Sequence, residues 1–231
     1  MKKLGLIGGV GPETTLKYYK EIEYGVMEKL RDNVLPRITI ESLSCFRMIP
    51  LGAAQDYEGM TDYIMGAVSV LEKADCDFIA LACITGHMVY DRVQPQCHVP
   101  MLSIVDTCLE AVIAKGCKKV LLLGTEGTMK DDFFKRPFRS AGLEIVVPSS
   151  EEQHYVGWHI ENELEHGIVR EEVRKEYYRI VDNMIKAEEV DALILGCTEL
   201  PMIFRQEDLS IPVFDPTEYH IRKIIDLITD R

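Results

Sequence analysis

An internal repeat constrains the fold of this 231-residue chain more than any other feature of its sequence. Three apolar segments of the first half recur in the same order, and at nearly equal spacing, in the second half. The pairs are KKLGLIGG (2–9) and KKVLLLGT (118–125), DFIALACIT (77–85) and DALILGCTE (191–199), and VPMLS (99–103) and IPVFD (211–215). Such self-similarity predicts two structurally similar halves.

Segments with helical spacing of apolar residues separate these strand-like runs. They cover residues 13–31 and 55–74 in the first half, and 129–141 and 151–189 in the second. Strands that alternate with helices predict an α/β fold in which each half forms a small parallel sheet flanked by helices on both faces. A last helical segment, Glu218 to Thr229, has no counterpart in its own half, so we expect it to pack on the first.

We therefore predict two pseudo-symmetric lobes. The first comprises residues 1–104 and is completed by a C-terminal helix at 216–231, and the second comprises residues 105–215. Ligands of parallel sheets bind beyond the carboxyl ends of the strands. Cys83 and Cys197 lie there, at the ends of equivalent strands, so we expect an active site in the cleft between the lobes.

Composition and charge favour a small-molecule partner. A formal net charge of -12 disfavours non-specific binding to nucleic acid or to an anionic membrane. No apolar stretch approaches the roughly 18 residues of a membrane span. The short apolar run after the N-terminal lysines ends in a Gly/Pro turn, which predicts a first strand rather than a secretory leader. We expect a soluble, cytoplasmic protein.

Seven cysteines occur without a CxxC pair or a zinc-ligand spacing, so we expect free thiols and no metal site. Unpaired cysteines commonly serve as small core hydrophobes. That interpretation is given to Cys45, Cys76, Cys97, Cys108 and Cys117. Only Cys83 and Cys197 occupy matched positions in the repeat.

Two thiols on opposite sides of one carbon atom can invert that carbon. One removes a proton from one face, and the other delivers a proton to the opposite face. Reacting groups approach within roughly 3 to 3.5 Å, which predicts reduced sulfurs roughly 7 Å apart. Thiols with an unperturbed pKa of about 8.5 can be poised with one ionised and one protonated. A lone cysteine would more often simply end a buried strand, but the matched pair favours catalysis.

The motifs ACITGH (82–87) and GCTE (196–199), with IGGVGPETT (7–15) and LLLGTEGT (121–128), resemble the aspartate/glutamate racemase family over nearly the whole chain. The resemblance implies a cofactor-independent enzyme with two pseudo-symmetric lobes, a homodimer, and an amino-acid substrate inverted by Cys83 and Cys197. Glu199 stands where glutamate racemases commonly have a histidine, which indicates the aspartate-racemase branch.

Further residues are candidate substrate contacts. They are Gly9, Val10, Gly11, Thr85, Thr125, Thr128, Thr198 and Glu199. The glycine turn can offer backbone N–H groups to a carboxylate at a helix start, although a tight turn alone also explains it. By resemblance the two threonines at 125 and 128 supply donors from the equivalent turn, whereas helix capping is an equal alternative.

Three further residues carry particular expectations. Ile84 replaces the asparagine of the family motif, which removes a polar substrate contact and argues against strict aspartate or glutamate specificity. Arg47, expected in the loop after the second strand, can pair with a side-chain carboxylate, or can be a solvated surface residue. His87 can orient Cys83 or a substrate, whereas a helix-end histidine with satisfied hydrogen bonds is the commoner outcome.

The sequence thus predicts racemisation or epimerisation of a small amino acid, aspartate/glutamate-like or other. Alternatives are a related isomerase or decarboxylase on the same fold, or a non-catalytic ligand-binding relative, which Ile84 favours. A redox or metal-binding role of the thiols is a third.

Overall fold

The chain forms two four-stranded sheets with flanking helices, and the computed structural model describes residues 1–230. The strands are β1 (Leu4–Gly8), β2 (Ile38–Ser42), β3 (Phe78–Leu81), β4 (Met101–Leu102), β5 (Lys119–Gly124), β6 (Glu144–Val146), β7 (Ala192–Gly196) and β8 (Val213–Phe214). The helices are α1 (Pro12–Leu30), α2 (Cys45–Ala53), α3 (Tyr57–Lys73), α4 (Tyr90–Val93), α5 (Ile104–Lys115), α6 (Glu126–Lys130), α7 (Lys135–Ser140), α8 (Ser150–Asn162), α9 (Glu171–Glu188) and α10 (Pro216–Thr229).

The chain divides into two compact units. One contains Met1–Thr107 together with the segment that begins at Thr217, and the other contains Cys108–Pro216. The repeat predicts lobe boundaries at 104/105 and 215/216, and these boundaries stay a prediction.

Both sheets have the same strand order and are parallel throughout. The first is ordered β2-β1-β3-β4 and the second β6-β5-β7-β8. Equivalent residues pair in both, Leu4 with Phe78 in the first sheet and Val120 with Ala192 in the second. The predicted pair of small parallel sheets is therefore confirmed.

The chain leaves the two central strands of each sheet in opposite directions. From β1 it crosses to β2 on one side, and from β3 it continues to β4 on the other. The loops after these two strands diverge, which leaves space at their carboxyl ends where ligands of such sheets bind. The strands β5 and β7 repeat this arrangement in the second unit.

Helices cover both faces of the first sheet, which explains why its central strands are apolar at successive positions. On one face, Leu4 and Leu6 of β1 belong to a core cluster with Tyr18 and Ile22 of α1. On the opposite face, Ile7 packs in a cluster with residues of α3.

The C-terminal helix α10 completes the first of these clusters. Ile221, Ile224 and Ile228 recur at helical spacing, so they share one face and are buried with Leu4 and Leu6. Helix α10 thus packs against β1 and α1, and the chain from Thr217 belongs to the same unit as both.

In the second sheet, β5 and β7 contribute Leu121 and Leu193 to a cluster with Val156 of α8 and Tyr177 of α9. The buried Tyr177 hydroxyl donates to the Val156 carbonyl oxygen at 2.8 Å, so burial leaves this polar group satisfied.

Two helical segments differ from the sequence interpretation. Residues 151–189 form two helices, α8 and α9, because the chain turns at Gly167, which has a φ of 72°. Residues 129–141 are likewise divided between the short helices α6 and α7. Among residues 1–230, no helix is both long enough and apolar enough to cross a membrane.

The packing of α10 predicts a large loss of stability when its buried face is truncated. Ile224→Ala removes a fully buried side chain and should lower the free energy of unfolding by about 2–5 kcal/mol. Leu16→Ala, in the same unit at a side chain that is 62% exposed, should cost much less. Urea denaturation measures both, and equal losses would contradict the packing role of α10.

Candidate active site

Cys83 and Cys197 occupy equivalent positions at the carboxyl ends of central strands. Cys83 lies two residues after β3, and Cys197 directly follows β7. Each is 8% exposed, so both thiols retain slight access to solvent. Each therefore lies at the switch point of its own sheet, where the loops diverge.

The Cys83 sulfur accepts a hydrogen bond from the backbone. The Gly86 N–H donates to Cys83 Sγ at 3.3 Å, because the chain after β3 enters a tight 3-10 turn, Thr85–Val89. A donor directed at sulfur favours the thiolate over the thiol. Sequence reasoning missed Gly86 because its role depends on the turn geometry rather than on a side chain.

Cys197 has the opposite hydrogen-bonding pattern. Its thiol donates to Glu199 Oε2 at 2.9 Å, and the Thr198 hydroxyl donates to the same oxygen at 2.8 Å. Burial and, secondly, the charge of Glu199 raise the pKa of the Cys197 thiol well above its ordinary value. Cys197 therefore holds its proton, as a proton donor would.

Glu165 is an acidic residue whose pKa responds to the charge of Glu199, and the sequence interpretation did not single it out. It lies in the 3-10 turn Leu164–His166 between α8 and α9. Desolvation by the surrounding protein, followed by the charges of Glu199 and Glu161, raises the pKa of Glu165 to about 7. The charge-rich sequence here is typical of a solvated helical face, although Gly167 offers a signal for a helix end.

His87 contacts the backbone of the Cys83 loop, not its sulfur. Its Nδ1 lies 2.8 Å from the Cys83 carbonyl oxygen, and the Ile104 N–H donates to its Nε2 at 3.2 Å. The ring is 3% exposed, and burial lowers the pKa of His87 to about 4. The ring is therefore a buried neutral imidazole with both nitrogens hydrogen-bonded, one of them to the loop that carries Cys83.

The glycine turn after β1 is held by its own helix. Gly9 has a φ of 79°, and its N–H donates to Thr15 Oγ1 at 2.8 Å. A Cβ at Gly9 would lie 2.0 Å from the Leu43 carbonyl oxygen, so only glycine fits. The Gly9 N–H is thus already hydrogen-bonded within the chain. If this turn binds a substrate carboxylate, the N–H groups of Val10 and Gly11 would have to donate to it.

The equivalent turn after β5 forms a helix cap. Thr125 is the N-cap of α6, where its Oγ1 accepts from the Thr128 N–H at 3.2 Å, and the two hydroxyl oxygens are 3.0 Å apart. These hydrogen bonds are those expected of a helix cap. A role of Thr125 and Thr128 in binding substrate stays a prediction.

The sequence interpretation placed Arg47 in a loop, and this was wrong. It belongs to α2, and its guanidinium carbon is 4.3 Å from the centre of the Tyr63 ring. This cation–π contact holds an exposed side chain against α3. The Tyr63 hydroxyl accepts in turn from the Ser44 N–H at 2.8 Å, which fixes the start of α2.

The remaining candidates vary in exposure. Ile84 is buried, whereas Thr85 and Thr198 are partly exposed beside the thiols. Within residues 1–230, none of the seven cysteines is in a disulfide, and no group of three or more His, Cys, Asp or Glu side chains is placed to hold a metal ion. The cysteines at 76, 108 and 117 are buried as expected, but those at 45 and 97 are only partly buried.

The buried imidazoles predict a loss of stability in mild acid. Burial lowers the pKa of His87 to about 4 and that of His220 to about 3. Below about pH 6.5 the unfolded state therefore binds protons at these two histidines, whereas the native state leaves them neutral. The contribution of each neutral histidine to the free energy of unfolding is complete above that pH and is lost as the pH falls toward 4. The loss between pH 7 and pH 5 is roughly 2 kcal/mol per histidine.

Urea denaturation at pH 7 and pH 5 measures this loss. His87→Asn should reduce the difference between the two pH values, and His166→Asn, at an exposed ring, should not. A wild-type free energy of unfolding that is the same at both pH values would contradict burial of neutral imidazoles.

The contact between Cys197 and Glu199 predicts a change in thiol reactivity. Glu199→Gln removes the charge that raises the pKa of Cys197 while keeping an acceptor oxygen, so the thiolate should form at lower pH. The pH profile of iodoacetamide alkylation at Cys197, followed by peptide mass spectrometry, should shift downward. Glu207→Gln, at an exposed glutamate, is the matched control, and an unshifted profile in Glu199→Gln would contradict the role of the charge.

Comparison with known proteins places this arrangement in a family. A sequence model of the Asp/Glu/Hydantoin racemase family matches residues 7–224. The broad specificity amino-acid racemase RacX of Bacillus subtilis (strain 168) is 27% identical over 219 residues, which cover 92% of each chain.

Solved structures agree with this assignment. An aspartate racemase homologue from Pyrococcus horikoshii OT3 is 36% identical, with a TM-score of 0.85 and full coverage of both chains. A candidate Asp/Glu racemase from Yersinia pestis is 31% identical, with a TM-score of 0.93 and full coverage of both chains. The same two-sheet α/β fold, the matched thiol positions and a family match that spans nearly the whole sequence together lead to one conclusion: the chain belongs to the Asp/Glu/Hydantoin racemase family.

Proposed function

We propose that this protein racemises or epimerises a small amino acid without a cofactor, using Cys83 and Cys197 as its two acid/base groups. The observation that carries the proposal is their equivalent placement, each at the carboxyl end of a central strand at the switch point of its sheet. The mechanism requires both sulfurs to reach one α-carbon from opposite faces.

Opposite hydrogen bonds at the two sulfurs support their resting roles. The Gly86 N–H favours a Cys83 thiolate, which takes the α-proton, and Cys197, held as a thiol beside Glu199, gives a proton to the other face. After one inversion, Cys83 carries the proton and Cys197 is the thiolate. The reverse reaction uses the same groups with exchanged roles.

The carbanion formed between these two steps needs donors at the substrate carboxylate, where negative charge develops. We assign this role to Val10 and Gly11 after β1 and to the partly exposed Thr85 and Thr198 beside the thiols. Thr125 and Thr128 hold the equivalent turn after β5.

We propose a substrate range wider than aspartate and glutamate. Ile84 cannot make the polar contact of an asparagine, and Arg47, the expected partner of a side-chain carboxylate, is stacked on Tyr63. The relative from Bacillus subtilis is named as a broad specificity racemase. A homodimer and a cytoplasmic location stay predictions from the family likeness.

The test is α-proton exchange in heavy water with a panel of L- and D-amino acids, acidic, apolar and basic, followed by NMR and chiral chromatography. The wild type should incorporate deuterium with inversion for at least one amino acid. Cys83→Ala and Cys197→Ala should each lower inversion by about 10³-fold or more, since each loses one acid/base group.

Cys97→Ala, at a partly buried cysteine outside the pair, is the control and should retain inversion. Exchange without inversion in one cysteine variant would identify the face that each thiol serves. No exchange with any amino acid of the panel would refute the proposal, and binding of an amino acid without exchange would favour a non-catalytic relative.

A further inference from the structure

The two nitrogens of His87 have fixed roles. A carbonyl oxygen only accepts, so the contact with Cys83 O requires a hydrogen on Nδ1. A backbone amide only donates, so the contact with the Ile104 N–H requires that Nε2 carry none. The neutral Nδ1–H tautomer satisfies both bonds, whereas the other tautomer would lose both and keep only the contact of His87 with the Leu102 carbonyl.

His220 of α10 lies beside this ring with the opposite tautomer. Its Nε2 is 3.3 Å from the Leu102 carbonyl oxygen, which requires Nε2–H, and its Nδ1 accepts from the Tyr18 hydroxyl at 2.8 Å. The His87 and His220 rings meet edge to face with centroids 6.3 Å apart. The two rings therefore bind positions 102 and 104, on either side of Ser103, at the junction of β4 and α5.

This network joins the backbone of the loop that carries Cys83 to four other elements of the same unit. The Cys83 carbonyl is tied through His87 to the start of α5, and the adjoining end of β4 is tied through His220 to α10 and α1. Both rings are buried, at 3% and 0% exposure, so water cannot replace a lost bond without opening the core.

We propose that His87 is a positioning residue for Cys83, supported by His220 from the C-terminal helix. The Nδ1–H of His87 fixes the Cys83 carbonyl and with it the turn whose Gly86 N–H is directed at the sulfur. Neither imidazole touches the substrate. The inference rests on the proposed function in one respect only, that Cys83 acts as a base.

Two variants separate positioning from simple core packing. In His87→Asn, the short amide can place an N–H near the position of Nδ1, so the bond to the Cys83 carbonyl is kept. In His87→Gln, the longer side chain carries its amide toward Ile104, and the bond to Cys83 is lost. Both remove the aromatic ring and leave a polar amide in its place.

The first measurement is the alkylation of Cys83 by iodoacetamide across pH, with Cys197 in the same protein as internal reference. In His87→Gln the pH profile of Cys83 alkylation should shift upward, because the Gly86 N–H no longer favours the thiolate, and the profile of Cys197 should not shift. In His87→Asn both alkylation profiles should stay close to those of the wild type. Inversion of the best amino acid should fall by about 10²-fold in His87→Gln, the cost of a misplacement of about 1 Å, and by far less in His87→Asn.

Equal effects of the two variants on Cys83 alkylation, or no effect of either, would overturn the positioning role. If neither variant folds, NMR of the wild type labelled with ¹⁵N-histidine provides the decision. His87 should be the neutral Nδ1–H tautomer and His220 the neutral Nε2–H tautomer, and an Nε2–H tautomer of His87 would refute the inference.

The alkylation readout does not depend on activity. A wild type that inverts no amino acid, together with a Cys83 profile that depends on His87, would refute the proposed function and leave the positioning role standing. Normal inversion with a Cys83 profile indifferent to His87→Gln would do the reverse.

Discussion

Parallel pairing of β1 with β3, and of β5 with β7, determines where both cysteines of the matched pair lie. Because the chain departs from each central pair in opposite directions, the loops at the carboxyl ends diverge. Both thiols lie at the end of one member of such a pair, and a glycine or threonine turn lies at the end of the other. The candidate site residues of both units therefore lie at strand ends, and the helices bury the faces of the sheets.

Equal positions do not make equal environments. The Cys83 sulfur accepts from a backbone N–H, whereas the Cys197 thiol donates to a carboxylate. The difference originates in the residues immediately after each cysteine: a tight 3-10 turn with Gly86 in one unit, and Thr198 with Glu199 in the other. The proposed mechanism uses this difference to obtain an acid and a base from the same residue type.

Most of the strand framework could be predicted, because buried parallel strands leave continuous apolar runs and the repeat doubles the signal. Helix α2 could not, since it is short and Pro50 lies inside it, so a loop was the wrong expectation for Arg47. The division between α8 and α9 depends on a left-handed glycine within a charge-rich stretch. Tyr63 and Gly86 owe their roles to a contact between distant residues and to turn geometry, which residue spacing does not encode.

The collision that any side chain at Gly9 would make with the Leu43 carbonyl oxygen has a consequence for redesign. Substitutions at Gly9 are unsuitable for changing selectivity, because any side chain there would displace the backbone that follows β2. Helix α2 tolerates replacement better, because Phe46 is 88% exposed and Arg47 packs on the ring of Tyr63 at the surface.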